Sequence, residues 1–496
     1  MEVALMYQVS LWRTTAKAVA VSGIFVLSLC LSTSVASATV AATDFGNPSD
    51  APFAAHRGVN QGIPNAIHNL NTGEFFSTLQ AALDDTDTVN GHVLQLEVAS
   101  LPEGQVLITK SVTIQGQTGS EGFVATVDTG SVGDNRGWFL VETGVSLAVQ
   151  DLSFDGGGHL IWQGFRVKGG ATFARCAFSD IQFNPSSDYA GTAIATIDAA
   201  EVVDCTFSQI GRVGVLFVGT GVGNGLMQNC SYTGKGAGDW LDYAVEVGAG
   251  ATALVRDNHF EACRGVASSD ASESSGVNVN TTLGNGTTAD VLSNTVMDCT
   301  FGVQIGRGDG AGPTAEVHFN RLITNEFGVG MNAASALDAT NNWYGCNDGP
   351  GQPGCDATDG DPLIDPWLTL TITATPSTIP VIQTSSVQAA LRFNSSGVDT
   401  SADGLVPDAI PMTFTATLGT VNPTSGGTAG GLVPTTFTAG NVEGTAIVTV
   451  TCDNETVETP IEIVAQAEAI PTLGFWALML MIGSVAVMGV KFLLKR

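Results

Sequence analysis

Asn320-Arg321-Leu322-Ile323-Thr324-Asn325-Glu326-Phe327-Gly328-Val329 is the stretch on which the fold turns, because its landmarks are written several times along the chain. They return upstream as Asn294, Val296, Cys299 and Gly302-Val303, and again as Asn258, Phe260, Cys263 and Gly265-Val266. Further toward the N-terminus the large apolar place is held by Tyr232, Phe207, Phe178 and Phe154, and the place two before it by Cys230, Cys205, Cys176 and Leu152. Ile181 and Ile210 stand three after it, and Gly214-Val215 repeats the later pair. Downstream the same two places fall on Trp343 and Asn341. Successive copies lie 21 to 36 residues apart. Each copy reads as an alternating apolar strand, a bend and a second short strand, with insertions kept to the loops. That pattern predicts a parallel β-solenoid whose equivalent side chains stack at about 4.8 Å.

Composition agrees. The chain is 44% hydrophobic and only 13% charged, with 60 glycines in no collagen-like period. A stacked inward column of Phe, Val and Ile buries much apolar surface with few charges. Asn258, Asn294, Asn320 and Asn341 are expected to form an asparagine ladder at a bend. Cys176, Cys205 and Cys230 share one register, so they are expected to point the same way as a buried thiol ladder; no histidine shares that register to suggest a metal. Cys346 and Cys355 instead flank a Gly/Pro loop, and a disulfide closing it is expected in an exported chain. The balance of 18 basic against 47 acidic side chains, net charge -29, repels phosphate backbones and excludes nucleic acid as a partner.

The solenoid needs lids. Phe75 to Leu83 has helical apolar spacing and predicts a short helix over the N-terminal end, ahead of strands near Val93–Leu96, Val106–Ile108 and Val112–Ile114. Asn341-Asn342-Trp343-Tyr344 through Trp367 is expected to close the other end. With the repeat and the helix, this Asn-Asn-Trp element resembles bacterial right-handed β-helix repeat proteins of the pectin-lyase-like superfamily, over residues 75–367. From 368 to 465 the composition shifts to Thr, Val and Pro, with strands near Leu370–Ala374, Val387–Phe393, Met412–Thr417 and Ala446–Thr451; these read as a β-sandwich. Leu418-Gly419-Thr420-Val421-Asn422-Pro423 and Cys452 to Val457 resemble bacterial immunoglobulin-like domains of the invasin type, which implies a spacer or adhesive stalk. Cys452 is expected to be a free buried thiol. The fold class is therefore all-β: a right-handed parallel β-helix, a small Ig-like sandwich and a single C-terminal transmembrane helix.

The two ends give the address. Arg13 and Lys17 precede an apolar run from Ala18 to Leu31, and Ala36-Ser37-Ala38 offers small residues for cleavage, so 1–38 reads as a signal peptide and 39–74 as an N-terminal extension. Leu29 ahead of Cys30 is too large for a lipoprotein site. At the other end Ala469 to Val490 carries no charge and is followed by Lys491, Lys495 and Arg496. This predicts a membrane span over 473–490 in the inner membrane, with its basic tail inside. Ile470, Pro471, Thr472, Leu473 and Trp476, with the span and basic tail in 469–496, resemble the IPTL-type C-terminal sorting signal of Gram-negative bacteria, although Gly474-Phe475 stands where Ser and Glu are commoner. The resemblance implies an exosortase-class membrane enzyme as a partner and a final place on the cell surface or outside the cell.

For chemistry, the superfamily includes polysaccharide lyases, which need acidic residues holding Ca²⁺ beside a base, and hydrolases, which need close carboxylates. The richest titratable set is Asp239, Asp242, Glu246, Arg256 and Asp257, with Arg212 and Arg264 from neighbouring coils. Spread over several coils, these residues either face one groove or serve as solvated turn charges. Asp356, Asp359, Asp361 and Asp365 are the dense acidic run; the choice is between Ca²⁺ and turn formation, and the spacing is not that of an EF-hand. With six histidines and nine methionines, mostly dispersed, a metal-delivery role is disfavoured. The reading is a non-enzymatic exported surface or matrix protein that binds carbohydrate or adheres, with no cofactor. The competing reading is a lyase or hydrolase on acidic polysaccharide. Convergence of two carboxylates and a base in one exposed groove separates the two.

Overall fold

A computed structural model describes residues 62–183, 190–219, 224–269, 271–281, 286–306, 312–332, 334–466 and 479–485. Three sheets run along the repeat, sheet A with 12 strands, sheet B with 9 and sheet C with 10, all parallel but for the first two strands of sheet A. The chain visits them in turn. One coil, for example, places Gly170–Ala174 in sheet A, Ala177–Ser179 in sheet B and Thr192–Thr196 in sheet C, before Ala200–Val203 returns to sheet A.

The stacking register is the one the repeat predicts over most of its length. Phe154 pairs with Phe178, and the row continues through Phe207, Tyr232, Phe260, Val296 and Leu322. Every member is fully or almost fully buried. Phe123, Phe154, Phe178 and Phe207 stack nearly parallel at centroid separations of 5.6, 5.2 and 5.1 Å. Each such side chain contributes about 1.5–3 kcal/mol of burial.

The bend between sheets A and B has its own chemistry. Asp151, Arg175, Asp204, Asn229, Asp257, Ser293, Phe319 and Asn341 all have φ between 53° and 59°, one per coil. The left-handed residue turns the chain so that the next side chain points inward. Those next residues are Leu152, Cys176, Cys205, Cys230, Asn258, Asn294, Asn320 and Asn342. The ladder thus ends on Asn342, not Asn341, which is itself the left-handed residue. Trp343 pairs with Arg321 rather than Leu322. This one-residue slip sends Trp343 out of the column and brings Tyr344, fully buried, into it.

The N-terminal lid also differs. Phe75 and Phe76 lie in a strand, Glu74–Phe76, antiparallel to Ile67–Asn69, which in turn pairs with Leu94–Leu96. Adjacent aromatics suit extended backbone, and the helix begins only at Leu79, where the Thr78 hydroxyl accepts from the Ala81 N–H at 3.0 Å. The helix is Leu79–Asp84, and its first N–H donates to buried Glu103 at 2.8 Å.

Beyond 367 a four-stranded and a five-stranded sheet enclose a core that includes Leu391, Phe414, Phe437 and Val448. The expected strands lie within Leu368–Thr375, Thr384–Asn394, Pro411–Ala416 and Gly444–Cys452, apart from Thr417, and Leu432–Ala439 and Glu455–Val464 complete the sheets. Phe319, Ile323 and Trp343 of the last coils belong to this same core. Trp343 Nε1 donates to Asp453 at 2.7 Å, and Asp453 also pairs with Arg321, both side chains nearly buried. Cys346 and Cys355 form a disulfide. The signal peptide and the sorting residues Ile470, Pro471, Thr472, Leu473 and Trp476 lie outside the described residues. Of the expected span 473–490 only 479–485 is described, as helix, and among the described residues no helix is long and apolar enough to cross a membrane.

Candidate functional site

The five candidate catalytic residues do not share a groove. Asp239 sits in an exposed loop, accepting from the Ser268 N–H and hydroxyl at 2.7 and 2.8 Å. Arg256 and Asp257 occupy the bend from sheet A to sheet B, where both are exposed and both reach Gln228. Glu246 lies in sheet C, 7% exposed, accepting from Asn280 Nδ2 at 2.8 Å. Arg264 pairs with Asp298 on the surface.

Asp242 is fully buried, in a polar triad that sequence reading missed. Lys235 stands three places after Tyr232, where other coils carry Ile181, Ile210 or Cys263. Its ammonium pairs with Asp242 and donates to the carbonyls of Ile210 and Gly211 at 2.7 and 3.2 Å. The Tyr232 hydroxyl donates to Asp242 at 3.2 Å. Burial lifts the Asp242 pKa above the usual carboxylate range, even against the Lys235 charge. Sealed from solvent, the triad cannot meet a polymer. The signal was present in the repeat itself: a lysine in a column of apolar residues has to bring a carboxylate with it.

The acidic run separates as well. Asp356 is buried and accepts from the Asn325 N–H at 3.1 Å and its Nδ2 at 2.7 Å, ending the second inward column, Cys299–Asn325–Asp356. Burial raises its pKa to about 7. Asp359 pairs beside Gly330 at the edge of sheet C, whereas Asp361 and Asp365 are exposed. The four carboxylates do not gather around one point among the described residues.

Sheet C presents what the sequence did not predict. On its outer side Ala195, Val213, Leu216, Val218 and Tyr243 form an apolar cluster separate from the solenoid core, with Trp240 half-buried against it. Where the chain runs into the sheet, the guanidinium of Arg136 lies 4.5 Å over the Trp162 ring, and Trp162 packs on Phe183 at 4.5 Å. Two and three coils on, Arg212 lies over Tyr243 at 5.7 Å. Further along, Asn278 and Ser275 are buried, and Asn278 Oδ1, Ser275 Oγ and Gln304 Oε1 have no hydrogen-bond partner among the described residues. Trp162 and Phe183 are half-buried, whereas Tyr243, Ser275 and Asn278 further along are sealed from solvent.

Beside Trp162 two cations meet two carboxylates. Arg166 Nε reaches Asp134 at 3.0 Å, and Lys168 Nζ bridges Asp134 at 2.8 Å and Glu142 at 3.0 Å. Burial acts to lower the Lys168 pKa, but the hydrogen bonds and charges of Asp134 and Glu142 outweigh it and hold the group above its ordinary value. Burial acts likewise to raise Asp134, and Lys168 and Arg166 bring it below the usual range. These groups neutralise one another. An ammonium held protonated cannot take a proton from a substrate.

Residues 159–347 match the family model described as a right handed beta helix region. No curated protein matches the chain. Similar solved structures include the adhesin InvE of Yersinia pseudotuberculosis, 28% identical over 20% of this chain and 28% of that one, TM-score 0.16. Domains 4 and 5 of the S-layer protein SbsC are 18% identical over 21% of this chain and 56% of that one, TM-score 0.15. Pantoea stewartii WceF, a glycan biofilm modifying enzyme with a tailspike-like parallel β-helix, is 8% identical over 75% of this chain and 59% of that one, TM-score 0.19. The chain spans less than two thirds of each. With the coil order above, the family match makes the repeat region a right-handed parallel β-helix.

Proposed function

We propose that this chain is an exported cell-surface or matrix protein that binds extended carbohydrate along sheet C of its β-helix. The Ig-like sandwich carries the solenoid, and the IPTL-type signal delivers it through an exosortase-class enzyme and the membrane helix 473–490. One observation carries the binding reading. The half-buried rings of Trp162 and Phe183, packed on each other with the Arg136 guanidinium over Trp162, form an aromatic edge within reach of solvent, while the carboxylates and bases are dispersed or saturated. Flat rings suit the apolar faces of sugars. With a net charge of -29, an uncharged glycan is favoured over an acidic one.

The test is retention of the purified full chain on immobilised neutral and acidic polysaccharides, with Trp162→Ala beside it. Binding to a neutral glycan that falls at least about tenfold in the variant supports the reading. Unsaturated products or new reducing ends from an acidic polysaccharide would replace it with the lyase or hydrolase reading. The cluster of Asp134, Glu142 and Lys168 would then be the first place to look.

A further inference from the structure

We infer that Glu316, His318 and Asp338 form a site for a borderline divalent cation of the zinc type on the outer face of sheet A. Glu316 and His318 stand two apart on the strand Thr314–His318, so they share a face. The next strand, Ala336–Asp338, sets Asp338 directly beside Glu316. One carboxylate oxygen from each acid and one imidazole nitrogen lie within 4.8 Å of one another. His318 and Asp338 are half-buried and Glu316 is exposed, which leaves an approach from solvent.

The hydrogen bonds choose the ligand atom. His318 Nδ1 lies 2.8 Å from the Thr340 carbonyl, which can only accept, so Nδ1 carries the proton. Nε2 lies 3.0 Å from Glu316 Oε2, an ion pair when the ring carries a second proton; a divalent cation between the two atoms would take that proton's place. A backbone carbonyl on the far ring nitrogen is the usual support of a metal-bound histidine. Asp338 Oδ1 is likewise positioned by the Thr340 N–H at 3.0 Å. Asp290 precedes Glu316 in the same row, so three carboxylates stand on adjacent strands. Like charges directly opposite are destabilising.

Ligand chemistry selects the class. One imidazole and two carboxylates, with room for water, match a zinc-like ion. Ca²⁺ takes six or more oxygens and gains nothing from imidazole. The other group of three possible ligands among the described residues, Glu74, Asp85 and Asp87, is all carboxylate, offers no nitrogen and serves as the control. A bound ion would join the last full coil to the capping turn, since Glu316 and His318 belong to one and Asp338 to the other.

The test is calorimetric titration of the untagged full chain with Zn²⁺, with Ca²⁺ and Mg²⁺ in parallel. The expected result is about one zinc ion per chain, bound at least tenfold more weakly by His318→Ala and by Asp338→Asn, and unchanged in Glu74→Gln. Asp338→Asn leaves the His318–Thr340 bond in place, so it reports on ligation rather than folding. Zinc should also raise the unfolding temperature of the parent chain and not that of His318→Ala. No zinc uptake, or uptake that both variants retain at full strength, overturns the site.

Discussion

One inward column of this solenoid is built from thiols in its N-terminal half and from amides in its C-terminal half. Cys176, Cys205 and Cys230 occupy the place that Asn258, Asn294, Asn320 and Asn342 occupy further on. In the amide half Oδ1 of each residue accepts both the N–H and the Nδ2 of the one before, at 2.8 to 3.0 Å where the donor is asparagine. Nδ2 of Asn258 also donates to the Met227 carbonyl at 3.0 Å. The thiol half copies this pattern weakly. Cys205 Sγ accepts the Cys176 N–H at 3.4 Å, and Cys230 Sγ reaches the Val202 carbonyl at 3.4 Å. The row beside the column compensates: it is Phe178, Phe207 and Tyr232 next to the thiols and Phe260 next to the first amide, but Val296 and Leu322 next to the later amides. The same backbone is held by ring stacking in one half and by hydrogen bonds in the other.

Replacing an amide by a thiol attacks that difference directly. Asn294→Cys removes the acceptor of the Asn258 N–H and Nδ2 and the donor to the Val255 carbonyl, all buried. Leaving such groups unpaired costs about 1–3 kcal/mol each, so a loss of about 3–5 kcal/mol is expected in denaturant unfolding. A loss below about 1 kcal/mol would mean the two chemistries are interchangeable.

The second column ends in an acid rather than an amide, and pH exposes the contrast. Burial lifts Asp356 from 3.8 to about 7. Because the folded value lies above the unfolded one, its stabilising contribution is fully present below about pH 4 and is lost as pH rises through about 7. Asp356→Asn supplies an uncharged acceptor for Asn325, as in the amide ladder. It should stabilise the chain by about 2–4 kcal/mol at pH 8 and by almost nothing at pH 4. Unfolding curves of both chains at the two pH values decide this, and an equal effect at both would refute the charge argument.

The repeat made most of the solenoid legible, because Phe154 to Leu322 mark one side chain per coil at a place that stays apolar and buried. It failed where a neighbour outside the repeat takes a residue. Trp343 looks like the next large apolar residue, but Asp453 and the sandwich core claim it, and the register slips to Tyr344. Phe75 has helical spacing, yet its strand partner His68 stacks on it at 4.1 Å. The candidate site was less legible still. Asp239, Asp242, Glu246, Arg256 and Asp257 are close in sequence, but successive residues of a coil face different sheets, so nearness along the chain scatters them. Of the groups that do meet, Lys235 and Asp242 share a coil, whereas Asp134 with Lys168 and Glu316 with Asp338 come from different coils. Only the register, not composition, could have paired the latter.

Two smaller effects sharpen the thiol side. Cys205→Ala removes one weak acceptor and a small volume in a column whose cohesion comes from the adjacent rings, and should cost only about 1–2 kcal/mol. The free thiols should also be silent toward reagents, because burial shuts them out. Hydrogen bonding to Cys205 and burial hold Cys176 well above the ordinary thiol range, burial does the same for Cys263, and the hydrogen bonds of Cys176 and Cys230 bring Cys205 down to about 4, so that its silence rests on burial alone. Cys176, Cys205, Cys230, Cys263, Cys299 and Cys452 are all buried and free. Side chains stacked in parallel face the same way, so neighbours in the column lack the geometry of a disulfide even in an oxidising compartment. A maleimide added to the native chain should therefore label none of the six, and all of them after unfolding. Native labelling of Cys205 would show that the thiol half breathes where the amide half does not, and would place the weak end of the solenoid there.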